Sequence, residues 1–273
     1  LTSQPGPAPD KGGRAAPDQG GTVLVTPGYL AGATGADPVG PLLEAAPDWA
    51  RTLLGADVYY TSGCQRLRAA RRDGAWTFLY SADPLGMPVW AVHCTRTTPD
   101  EVLDAFTRVL LDGLDVHLIP HLKDSRGQSP AGVFHEHGWR PVHGSRPWHT
   151  LSPDQRAALH IAIGPSDTAN ELQNRSAATW RISAGPDPTI HPSWTAFFTG
   201  HTPQALMTAV ARAVVDPTPV VRDAHHVPRS HRTLVTLSPG PTKPPAGHPR
   251  PDRAPVPAPS AGPPAPAPAP RRH

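Results

Sequence analysis

An internal repeat constrains this chain more than any other feature. Set Trp76 over Trp180, an offset of 104 residues, and Asp83 and Pro84 fall on Asp187 and Pro188. Pro88 falls on Pro192, Trp90 on Trp194, Thr95 on Thr199, and Thr98 with Pro99 on Thr202 with Pro203. Ala105, Arg108 and Asp112 meet Ala209, Arg212 and Asp216, giving 11 identities over the 37 ungapped positions 76–112 and 180–216. Upstream the offset becomes 90: Trp49 meets Trp139, Ser62 meets Ser152, and Gln65 with Arg66 meets Gln155 with Arg156. The second copy therefore holds 14 extra residues, and the polar stretch 164–177 is where they belong, as a hairpin loop. A repeated unit of this kind folds twice on one plan.

Each copy reads as strands followed by a helix. Thr98, Pro99 and Glu101 make a helix start, with Thr as N-cap, Pro at the first position and Glu closing a capping box. Val102, Leu103, Phe106, Val109 and Leu110 then form one apolar stripe, opposite Asp100, Glu101, Asp104 and Arg108. In the second copy Leu206, Met207, Val210, Ala213 and Val214 make the stripe after Thr202 and Pro203, and Gln204, Thr208 and Arg212 leave its polar face nearly neutral. Trp76, Phe78 and Tyr80 alternate, as do Trp90, Val92 and Cys94, and Trp194, Ala196 and Phe198, so each set lies on one strand face. Asp73-Gly74 is a hairpin turn signal between two such runs. Leu159, Ile161 and Ile163 alternate in the second copy, and residues 58–60 and 148–150 predict one earlier strand in each copy. The stretches 42–54 and 131–139 predict short helices. The fold class is α+β: two tandem repeats, each a short helix, a roughly four-stranded antiparallel sheet and a C-terminal helix.

The ends differ from the middle. Residues 1–21 mix Pro, Gly, Ala and Asp with no apolar period and predict disorder. From Pro239 to Pro270 there are 14 prolines, and no Phe, Tyr or Trp follows Phe198. Such a stretch predicts an extended tail. The expected division is residues 1–21 disordered, 22–117 copy one, 118–130 linker, 131–217 copy two and 218–273 a Pro-rich disordered tail. The net charge of +3 divides into +4 from residue 239 onward and −1 before it, so the body lacks a basic footprint for DNA. The tail's arginines leave weak phosphate attraction as an alternative. No apolar run approaches bilayer length and the first residues lack a signal-peptide core, which predicts a cytoplasmic protein with no membrane partner.

Three stretches carry a family resemblance: Thr150, Ser152, Pro153 and Asp154; Trp194 and Phe198 ahead of Thr202 and Pro203; and the opening Val25, Pro27, Tyr29 and Gly32. They are similar to the SPDY domain family, bacterial domains of unknown function usually present in two copies per chain. The resemblance covers about residues 23–217. The family's Ser-Pro-Asp-Tyr motif reads Ser152, Pro153, Asp154, Gln155 in copy two and Ser62, Gly63, Cys64, Gln65 in copy one, so both lack the tyrosine. Tyr29, Ser152, Pro153, Asp154, Trp90, Trp194, Pro99 and Pro203 are the motif positions, and the resemblance gives them a structural role, with no catalytic residues to transfer.

Little else carries chemistry. His135, Glu136, His137, His143 and His149 crowd one segment, but His135 and His137 would point apart on a helix, and copy one has no counterpart. His225, His226 and His231 are expected at the surface. Cys64 and Cys94 are 30 apart, and His93 points to the strand face opposite Cys94, which reads as core. Ser62 and Ser152 lack a nucleophile elbow, and no phosphate-binding glycine loop is present. Trp76, Trp90, Trp180 and Trp194 read as core, and Trp49, Trp139 and Trp148 as interface candidates. The expectation is a protein without catalytic residues, cofactor or metal, acting by binding an unknown protein partner. The alternatives are a nucleic-acid-associated protein using its tail, or a His-dependent metalloenzyme.

Overall fold

The computed structural model describes residues 21–113, 129–142, 148–164 and 167–241. Residues 1–20, most of the expected linker and everything beyond residue 241 lie outside the described residues. No described helix is long and apolar enough to cross a membrane.

The described chain opens with β1 (Thr22–Thr26), a 3-10 turn at Gly28–Leu30 and the short helix α1 (Gly40–Ala45). Five antiparallel strands follow: β2 (Trp49–Leu54), β3 (Asp57–Ser62), β4 (Leu67–Arg72), β5 (Ala75–Ser81) and β6 (Pro88–Cys94). Helix α2 (Asp100–Asp112) ends this half. The second half runs α3 (Pro130–Glu136), β7 (Arg140–Pro141), β8 (Trp148–Leu151), β9 (Ala157–Ile161), α4 (Thr168–Gln173), β10 (Trp180–Ala184), β11 (Trp194–Phe198) and α5 (Gln204–Val215). The chain closes with β12 (Val220–Asp223) and β13 (Thr236–Pro239).

The ten strands β2–β11 form one sheet, ordered β2-β3-β4-β5-β6-β11-β10-β9-β8-β7. The halves meet at β6 and β11, where Cα partners run Ala196 to Cys94 and Phe198 to Val92. Two repeated threonines stitch this seam reciprocally. Thr95 Oγ1 accepts from the Thr195 N–H at 3.0 Å, and Thr199 Oγ1 accepts from the Ala91 N–H at 3.0 Å. Trp90 and Trp194 each lie on the last strand of their half. Helices α1, α2, α5 and α3 contact one another in that order, and the core lies between them and one face of the sheet. Alternation puts Trp76, Phe78, Tyr80, Trp90, Val92, Cys94, Ile182, Trp194 and Phe198 into it. Each such large side chain stabilises the fold by about 1.5–3 kcal/mol.

Several expectations need correction. Each half has five strands rather than four. The apolar spacing of Trp49, Leu53 and Leu54 reads as helix, yet residues 49–54 form an edge strand, with Leu53 and Leu54 exposed. Gly55, at φ 63°, lies in the turn into β3, a conformation that costs Gly little. The 14 extra residues do not form a plain loop: they build α4 and a 3-10 turn at Arg175–Ala177. Neither long helix starts on a capping box, because Pro99 and Pro203 occupy the N-cap position, while Thr98 and Thr202 are buried.

The largest correction is at the C-terminal end. Residues 218–241, expected in the tail, carry two strands that flank β1 in a second sheet, ordered β12-β1-β13. Val23, Val25, Ala31 and Val227 form its small core. The segment lacks aromatics, so composition hides its strands, which depend on β1 about 200 residues away. Arg222, only 3% exposed, ties this sheet to α2. Its guanidinium donates to Glu101 at 2.6 and 2.8 Å and to the Gly32 carbonyl at 3.0 Å.

Candidate functional site

Five of the eight motif positions meet at one place. The turn Ser152-Pro153-Asp154-Gln155 joins β8 to β9. Ser152 Oγ accepts from the Ala157 N–H at 2.9 Å and the Arg156 N–H at 3.1 Å, and donates to Asp154 Oδ1 at 2.6 Å. Gln155 sits at φ 60°, and Gln65 sits at φ 59° in the corresponding turn of the first half. The Tyr29 phenol bonds to Asp154 and Ser152, and burial first, then the Asp154 carboxylate, hold it well above the ordinary phenol range. The Trp194 indole N–H donates to the Tyr29 carbonyl at 2.8 Å. Tyr29 also meets Trp139 edge-on, and Trp139 lies 4.3 Å from Phe134 between ring centroids. Trp139 is thus core rather than an interface residue. Pro153 stands over Gly138, whose φ of 80° closes α3. Trp90 stacks on Tyr80 in the first half, and Pro99 and Pro203 accept the first helical N–H groups of α2 and α5. Ser152 and Tyr29 are held within the cluster, while Asp154 is exposed and lines a cavity of about 460 Å³ with Gln155, Arg156 and Asp187.

His231 was expected at the surface, but it is 1% exposed. Its ring nitrogens lie 2.7 Å from the Leu30 carbonyl and 2.7 Å from Ser193 Oγ. Burial first lowers its pKa, and the Leu30 bond partly opposes that. A serine, a histidine and an orienting carbonyl resemble a nucleophile's support, and the same two bonds bracket the C-terminal segment to the residue before β11.

The histidine segment does not converge. His135 and His137 of the α3 end are exposed, and His149 instead bonds to His160. His143 lies outside the described residues. Among the described residues, ligand atoms of Asp223, His225 and His226 lie within 4.8 Å of one another on a surface turn. Cys94 is buried, which pushes its thiol up to about 12. Exposed Cys64 feels some upward push from burial, but bonds from Ser62 and from the backbone of Arg66 and Leu67 bring its thiol below the ordinary value.

Two further surfaces stand out among the described residues. Between α2 and α5 lies a groove of about 740 Å³. Val102, Ala105, Val109, Ala209 and Ala213 provide apolar lining, and Asp104, Arg108, Arg212 and Asp216 add both signs of charge. The acidic face expected on α2 is largely engaged within the chain: Asp100 accepts from Thr34, Glu101 from Arg222, and Asp104 pairs with Arg108 at 2.7 Å.

The other surface is the sheet face opposite the core. One row of directly paired residues crosses nine strands: Thr52, Tyr59, Ala70, Thr77, His93, Phe197, Arg181, His160 and His149. Thr77 Oγ1 lies 3.0 Å from His93 Nδ1. His93 is driven down to about 4, by burial first and then by Arg175. The added segment covers the middle of this face, placing Glu171, Leu172 and Arg175 beside His93 and Phe197. No sequence pattern marks this row, because it exists only once the strand registers are fixed.

Residues 151–220 match the family model of the SPDY domain, a domain of unknown function (DUF317). No curated protein and no solved structure matches the chain.

Proposed function

With an SPDY domain over residues 151–220 as the premise, we propose that the chain is a tandem pair of such modules acting in the cytoplasm as a non-catalytic binding protein. The duplication rests on offsets that align every strand of β2–β6 and α2 with β7–β11 and α5. It rests also on the two left-handed glutamines, the reciprocal threonine stitches and the paired proline N-caps. The observation that carries the binding role is the groove between α2 and α5. Its lining alanines let a partner backbone come close, and its charges of both signs set orientation. These features fit an amphipathic helix of a protein partner, with charged residues flanking its apolar face. The groove's acids are already engaged, Asp100 by Thr34, Glu101 by Arg222, Asp104 by Arg108 and Asp216 by the Thr218 N–H, which supports a binding role over an acid–base one.

Filling the groove tests this reading. Ala209→Trp is expected to leave the melting temperature nearly unchanged and to remove the partner that the wild-type chain captures from its native cell. Capture of the same proteins by wild type and variant would overturn the groove as the binding site.

A further inference from the structure

Arg181 poses a physical question that the groove does not answer. It is a half-buried guanidinium on β10 with no ion pair among the described residues. Burial pulls it below its ordinary pKa, with no carboxylate opposing that pull. Its side-chain bond is to an imidazole: Arg181 Nη2 donates to His160 Nδ1 at 3.4 Å. A guanidinium cannot accept, so His160 Nδ1 must be the acceptor, and its proton sits on Nε2. His149 Nε2, 2.9 Å from the same Nδ1, must then donate as well. His160 is therefore neutral, and both rings are pushed toward the neutral form by burial first and by Arg181 next. For His160 the result is a pKa of about 4.

A partly desolvated cation is seldom left without a counter-charge. Here two neutral bases stand beside one, in strand register. We propose that Arg181, His160 and His149 form a site for an oxyanion, specifically the phosphate group of a small phosphorylated compound or of a nucleic-acid backbone. The anion supplies the charge that Arg181 lacks, and its field favours protonation of His149 at Nδ1, which leaves the Nε2–H bond to His160 Nδ1 intact. The site then presents cationic groups from two strands, bridged by His160. The other charged groups on this face do not compete. Glu171 accepts from Thr179 Oγ1 and from the Gly200 N–H at 2.8 Å, and Arg175 stands by His93. This site lies on the sheet face opposite the core, so it is independent of the helical groove.

The sign of the pH dependence follows. The free site has a lowered His149 pKa and the occupied site a raised one, so binding takes up a proton. Affinity should rise as pH falls from the occupied toward the free values, approaching about tenfold per pH unit for one proton taken up. Sulfate is the probe for this arm, since its charge stays constant between about pH 5 and about 8, where histidine titrates.

The experiment is calorimetric titration of the full chain with sulfate, inorganic phosphate and a single-stranded oligothymidylate. Wild type, Arg181→Lys, Arg181→Gln and His149→Gln are compared, with folding checked by circular dichroism. Saturable sulfate binding that strengthens on acidification, falls at least tenfold in Arg181→Gln, survives in part in Arg181→Lys and loses its pH slope in His149→Gln is the expected result. Oligothymidylate binding that is tighter than phosphate and depends on Arg181 identifies a nucleic-acid backbone. Binding of phosphate alone identifies a small phosphorylated compound. Sulfate binding that is absent, or equal in wild type and folded Arg181→Gln, overturns the site.

Discussion

The two halves of the large sheet share one order of elements but fill their cores from different sources. The first half uses its own rings. Tyr60 stacks on Trp76, Trp76 on Phe78, and Phe78 lies 4.6 Å from Phe106 of α2, while Tyr80 stacks on Trp90. The second half places Ala157, Ala184, Ala196 and Val210 where the first has larger groups, and takes in help from outside. Tyr29 comes from the segment before α1, and His231 comes from beyond α5. The same strand plan thus tolerates two packing solutions, provided total volume and polar satisfaction are kept. The half that borrows is the one matched by the family model.

That contrast is most exposed in the long helices, where Phe106 stands at the position of Val210. Phe106→Ala should destabilise the protein by about 3–5 kcal/mol, because it empties the end of a ring stack. Val210→Ala removes two methyl groups and should cost about 1–2 kcal/mol by the same transfer arithmetic. Equilibrium urea unfolding measures both. Equal losses would mean that the aromatic chain is not the principal packing of the first half.

The small sheet makes a second test. Arg222→Ala strands the Gly32 carbonyl and releases Glu101, whose side chain is 39% exposed and so recovers some hydration. The expected cost is about 2–3 kcal/mol. Hydrogen exchange should show loss of protection in β1, β12 and β13 before any in the large sheet. Protection lost uniformly would show that the small sheet does not open as its own unit.

The pattern of success in reading the sequence follows from the same physics. Helices α2 and α5 and the Asp73-Gly74 turn were legible, since period, stripe and turn chemistry are all local. The offsets of 90 and 104 align the elements of both halves because matched elements keep their spacing along the chain. Glu101 was misread as a cap, because its partner Arg222 is 121 residues away. The strands beyond residue 218 were invisible because a short edge strand of small residues owes its state to β1 and not to its composition. Ser152 and Asp154 were readable as a turn. Their meeting with Tyr29 and Trp194 was not, nor was the row from Thr52 to His149, since both require tertiary register.

The finest test of the comparison lies in the two matched turns. Ser62 Oγ receives the Leu67 N–H at 3.2 Å and touches the Cys64 thiol at 3.3 Å. Ser152 Oγ receives two N–H groups and also fixes Asp154, which in turn meets Tyr29. Ser62→Ala should therefore cost about 1 kcal/mol and Ser152→Ala about 2 kcal/mol, near the lower and middle values for a buried N–H left without its acceptor. The excess at Ser152 belongs to the network and not to the turn. Tyr29→Phe removes the phenol while keeping the ring against Trp139, so in its background the excess at Ser152 should shrink. A double-mutant cycle of Tyr29→Phe with Ser152→Ala is expected to show a coupling of about 0.5–1 kcal/mol, while the cycle with Ser62→Ala should be additive within about 0.3–0.5 kcal/mol. Additivity in both cycles would mean that Tyr29 supports the second half through its ring alone, and that Asp154 serves only its own turn.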